Sequence, residues 1–124
     1  MKTTMLAFAI CLLMGNAFTQ NKTSKETPVI KVPDFADPVV KSFYQSYADH
    51  LIKCIKAIRE KNEAKATALF KNPGEQLVAR EKIVTKEVVK NPVEKQKYFQ
   101  FAEQAYPYVK ELQASAYYKK MYGK

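Results

Sequence analysis

Among its 124 residues the chain has two cysteines, three glycines, one histidine and no tryptophan. Cys11 lies inside an apolar N-terminal run, so removal of that run leaves Cys54 as the one thiol, and one thiol makes no internal disulfide. A domain so equipped is held by its core alone, which is feasible at about a hundred residues. Beyond Gly15 only Gly74 and Gly123 remain, which excludes a glycine-rich phosphate loop. Arginine is scarce too: Arg59 and Arg80 are the two guanidinium groups among 21 basic side chains. Lysine attracts polyanions diffusely, whereas planar, bidentate reading of base edges favours arginine, so nucleic acid is not expected as a partner.

What is present begins with Lys2, an apolar run from Met5 to Met14 and small residues from Gly15 to Thr19. That is the layout of a signal peptide over residues 1–19, with cleavage before Gln20 or, alternatively, before Phe18. Ten apolar residues make a helix of about 15 Å, half the hydrocarbon thickness of a bilayer, so a spanning anchor is not expected. The implied location is periplasmic or extracellular. Loss of Lys2 lowers the formal charge from +9 to +8.

Residues 20–33 contain Pro28 and Pro33 and lack helical periodicity, which predicts a flexible lead ahead of a helical domain over 34–124. Asp37-Pro38 is a helix start: the carboxylate can accept from exposed N–H groups, and proline loses no hydrogen bond at the first position. Val40, Phe43, Tyr44, Tyr47, Leu51, Ile55 and Ile58 follow at three- and four-residue steps, predicting a helix to about Lys61 with Asn62 as a left-handed terminator. The next stretch, 63–90, is broken by Asn72-Pro73-Gly74, and Leu77, Ile83, Val84 and Val88 are expected inside. Asn91-Pro92-Val93-Glu94 opens a last helix with a variant capping box, its core face reading Tyr98, Phe99, Ala102, Ala105, Val109, Leu112 and Ala116. Pro107 is expected to bend that helix near Glu103. The predicted class is all-α, an up-down-up bundle of three helices with the second broken near Pro73.

Val32-Pro33-Asp34-Phe35-Ala36-Asp37-Pro38, the pair Tyr47-Ala48 one helix face later, the Asn-Pro-x-Glu start at 91–94 and a leader ending Asn-Ala-Phe-Thr-Gln together resemble a group of short exported helical proteins of Bacteroidetes. The resemblance implies the fold and export but no reaction, since the group has no established activity. The chain departs from it in carrying Asn62-Glu63 in place of Gly-Asp and in the added break at 72–74.

Chemistry-bearing residues are few. His50 and Cys54 stand four apart on the first helix, where their side chains can touch. A packing role is favoured for both, with a small hydrolase built on His50 as the contrary reading. Two helical ligands fall short of a zinc site, and no catalytic residue, metal or cofactor is expected. Lys82, Lys86 and Lys90, spaced by four, predict a ladder of like charge on the second helix. Tyr117 and Tyr118 cannot both enter one narrow apolar stripe, so at least one ring is expected at the bundle edge, where tyrosine suits contact. These five residues are the candidate binding surface of a non-enzymatic exported protein. Its expected partners are an anionic polymer, a membrane surface or a protein, and symmetric pairing into a homo-oligomer is open. The alternative is a chaperone-like or envelope-stress helper that binds apolar segments.

Overall fold

The computed structural model describes residues 27–123, so the expected signal peptide and the first part of the lead lie outside the described residues. Among the described residues the secondary structure is all helical, as the periodicity predicts: α1 Pro38–Arg59, α2 Glu63–Lys71, α3 Gly74–Val88, α4 Pro92–Ala114 and α5 Ala116–Tyr122. α1 packs against α2, α3 and α4, while α5 closes on α2 and α4.

The start of α1 is as the sequence implies, with the Asp37 carboxylate accepting from the Val39 N–H at 2.8 Å and Pro38 in the first turn. Phe43, Tyr44, Tyr47, Leu51 and Ile55 are buried, whereas Val40 and Ile58 are only partly covered. The end of α1 corrects the expectation. Lys61, with φ of 60°, takes the left-handed position, and the N–H groups of Lys61 and Asn62 close back on the carbonyls of Ile58 and Ala57 at 3.0 and 2.9 Å. That is a Schellman closure without its usual glycine. Asn62 is thereby free to cap α2, its side chain accepting from the Lys65 N–H at 3.1 Å.

The chain breaks between α2 and α3 at Asn72-Pro73. Gly74 is required there by close approach, because a Cβ on it would stand 2.6 Å from the Leu69 carbonyl oxygen and 3.2 Å from His50 Nε2. The buried face of α3 differs from the expected one. Val78, Glu81, Thr85 and Val88 point inward, while Ile83 is 67% exposed and Leu77 and Val84 are half-buried. A helix presents the face whose partners are satisfied, and hydroxyls of α1 and α4 await the two polar side chains.

α4 opens on Asn91, which accepts from the N–H groups of Val93 and Glu94 at 2.9 and 3.0 Å. The Glu94 carboxylate does not return to the cap as a capping box would; it accepts from the Ala36 N–H at 3.0 Å instead. The helix continues through Pro107, with Tyr98, Phe101, Ala102, Ala105, Val109 and Leu112 buried. Phe101 is buried although it lies outside the expected face, and Phe99 is only half-buried. The helix stops before Ala116: Ser115 turns extended (ψ 139°) and its hydroxyl caps α5 by accepting from the Tyr117 N–H at 3.1 Å.

The core centres on Tyr44, whose ring lies 4.9 Å from Phe101, 5.0 Å from Phe35 and 6.0 Å from Tyr98. At the far end of α1, Arg59 makes two hydrogen bonds of 2.8 Å to the Glu111 carboxylate of α4. The fork-to-fork geometry fixes the two helix ends against each other. Residues 27–36 form no helix but are not a loose lead: Ile30 and Phe35 enter the core and the main chain is bonded to α4.

Candidate functional site

Of the lysine ladder, only Lys82 and Lys86 stand on α3. Lys90 lies beyond the helix C-cap Val89, and its ammonium turns back to the Glu87 carboxylate at 3.2 Å. A cation at a helix C-terminus meets the negative end of the dipole, so the third rung is relieved by its own helix rather than strained by it. Lys82 and Lys86 are exposed, and among the described residues no ion pair engages either one. Between them Ile83 projects into solvent, and one turn earlier Arg80 lies over the Phe43 ring at 5.3 Å. The outer face of α3 is thus a short basic strip around one exposed aliphatic side chain.

The tyrosine half of the expected surface is placed elsewhere. Tyr118 is buried, packing edge-on against Phe70 at 5.6 Å and against Tyr122 at 5.0 Å. Tyr122 donates its hydroxyl to the Glu75 carboxylate at 2.7 Å, in the first turn of α3. These rings hold α5 onto α2 and the start of α3, and Lys120 adds an ion pair to Glu63 at 3.0 Å. Tyr117 is half-buried. Lys82 begins two turns beyond Glu75, so the structure does not gather the five candidate residues into one patch.

His50 and Cys54 do meet, with Nε2 and Sγ 3.4 Å apart on buried side chains. Burial pushes the thiol up to about 12, and burial with help from nearby Lys53 pulls the imidazole down to about 4. Both groups are therefore neutral at physiological pH, and a nucleophile needs the thiolate. His50 instead fills the space left open by Gly74 at the start of α3.

The most unusual chemistry is one that sequence reasoning missed. Glu81 is 0% exposed. Its Oε2 accepts from Thr85 Oγ1 at 2.9 Å and from the Tyr98 hydroxyl at 3.4 Å, and the Tyr44 hydroxyl lies 2.6 Å from Thr85 Oγ1. Among the described residues Oε1 has no hydrogen-bond partner. Burial pushes the carboxyl up to about 7 against the opposing pull of those hydrogen bonds and of Lys82. Burial likewise holds the Tyr44 and Tyr98 phenols well above their ordinary range. The one trace in the sequence is the helical spacing of Val78, Glu81, Thr85 and Val88, a stripe with two polar members.

Among the described residues no group of three His, Cys, Asp or Glu side chains is placed to hold a metal ion, and no helix is long and apolar enough to cross a membrane. Comparisons with known protein families, with curated proteins and with solved structures find nothing that matches this chain.

Proposed function

We propose that this chain is an exported, non-enzymatic helical protein that acts by binding anionic envelope material through the outer face of α3. The supporting observation is that Lys82 and Lys86 stand in solvent on either side of exposed Ile83 with no ion-pair partner among the described residues, in a chain of formal charge +9. Lysine heads with an apolar side chain among them suit a surface of anionic headgroups, each cation contributing about 1 kcal/mol close to it. Read with the resemblance of its opening motif, the fold is an up-down-up arrangement in which α2 and α3 form one broken leg and α5 a short return.

The test is co-sedimentation with vesicles containing an anionic lipid, at low and raised salt, beside neutral vesicles. Replacing Lys82 and Lys86 together by glutamine should weaken attachment about thirtyfold, the value of two surface cations. Attachment of the parent should fade with salt, as exposed charge is screened. Equal binding of the glutamine variant at low salt refutes the proposal. The hydrolase reading based on His50 is less favoured, because burial leaves the imidazole a weak base and the neighbouring thiol protonated.

A further inference from the structure

The segment before α1 is held as a bound peptide is held. From Val29 to Ala36 it runs in the opposite sense to α4. Its Val29 N–H donates to the Tyr108 hydroxyl (3.2 Å) and its Lys31 N–H to Gln104 Oε1 (2.7 Å). Gln104 Nε2 donates back to the Lys31 carbonyl at 2.8 Å, so one side-chain amide engages both main-chain groups of a single residue. Lys97 Nζ donates to the Asp34 carbonyl at 2.9 Å, and Glu94 Oε1 accepts from the Ala36 N–H at 3.0 Å. Seven extended steps cover roughly 23 Å and the fourteen helical steps from Glu94 to Tyr108 about 21 Å, so strap and helix keep pace. At about 100° per residue, Glu94, Lys97, Gln104 and Tyr108 fall on one face of α4.

All five of these bonds go to the main chain of the strap. Of the strap's own side chains Pro28, Ile30 and Phe35 are buried and Val32 is half-buried; the two large anchors are Ile30 at 8% and Phe35 at 3% exposure, with Phe35 stacked on Tyr44. Main-chain bonds give affinity to any extended chain, and apolar anchors at fixed spacing select among them. We propose that this face of α4, with Tyr44 beside it, is a recognition groove for an extended segment of a partner protein carrying two large apolar residues five positions apart. Residues 28–36 occupy it in cis, so a partner must displace them. The groove is independent of the basic strip on α3. The cis strap acts as a competitor at an effective concentration on the order of millimolar, and loosening it raises apparent affinity for a partner segment.

The probe is a fluorescent peptide with the sequence of residues 27–37, titrated into the full chain and followed by anisotropy. The double variant Ile30→Ser, Phe35→Ala should bind it about tenfold more tightly than the parent, because the competitor is weakened. A peptide with serine at both anchor positions should not bind, and adding Gln104→Ala to the double variant should cost about fivefold through two lost main-chain bonds. A double variant that stays helical yet gains no affinity, or that takes the anchorless peptide equally well, overturns the proposal. Should the double variant unfold, hydrogen exchange on the unmodified chain decides. Millimolar unlabelled peptide should speed exchange of the Lys31 and Ala36 amides while α1 and α4 stay protected, and unchanged exchange at those two amides overturns it.

Discussion

Replacing Glu81 by glutamine isolates the energetic effect of one buried carboxyl. In the unfolded chain this group has its ordinary value of 4.5, and in the folded protein burial raises it to about 7. Between those values the native state binds a proton that the unfolded state does not. The stability contributed by Glu81 is therefore complete below pH 4.5 and is lost as pH rises towards 7. A shift of this size corresponds to about 3 kcal/mol, and full burial leaves little solvent screening to discount. His50 acts in the opposite direction: its value falls from 6.5 to about 4, so its contribution is present above pH 6.5 and is lost as pH falls towards 4. The two slopes oppose each other between pH 4.5 and 6.5, which makes the parent's own curve a poor reporter. The difference between parent and Glu81→Gln is the clean quantity. Glutamine keeps the shape of the protonated carboxyl and does not titrate, so urea unfolding followed at 222 nm should give similar stabilities at pH 4. At pH 8 the variant should be the more stable by about 3 kcal/mol. A difference that stays constant from pH 4 to pH 8 would refute the reasoning and place Glu81 in contact with water.

Gly74→Ala should destabilise by about 1–3 kcal/mol in the same unfolding assay, since its methyl group meets the Leu69 carbonyl and the backbone must shift. Cys54 should be inert to a thiol reagent at pH 8 in the folded protein and react at once in denaturant, because burial keeps it protonated; prompt reaction of the native chain would contradict its placement. Asn91→Ala should cost about 1 kcal/mol through loss of the two bonds that start α4, and no loss of stability there would mean the cap is not formed.

The elements that are legible in the sequence are those whose signal is local. Asp37-Pro38 and Asn91-Pro92 mark helix starts because capping geometry is set within four residues, and the α1 stripe is legible because its inward positions are apolar or aromatic apart from His50. The inner face of α3 is illegible for the converse reason. Glu81 and Thr85 are tolerated inside because the hydroxyls of Tyr44 and Tyr98 arrive from two other helices to meet them. Ile83 is left outside by the same choice. Ser115 could be read as an ordinary helical residue, and only its extended backbone separates α5 from α4. The docking of the strap on α4 is illegible, since its hydrogen bonds to that helix are made by main-chain groups that every residue carries.

Gln104 also sets how the strap meets a protease. Cleavage requires an extended main chain whose N–H and C=O groups can pair with the enzyme, and the strap, which forms no helix, lies open to that except where its own contacts occupy those groups. At Lys31 both groups are taken by Gln104, and neighbouring Ile30 is seated in the core. A lysine-directed protease can cut there only while the segment is lifted from α4, so cleavage after Lys31 runs at a rate set by that opening rather than by global unfolding.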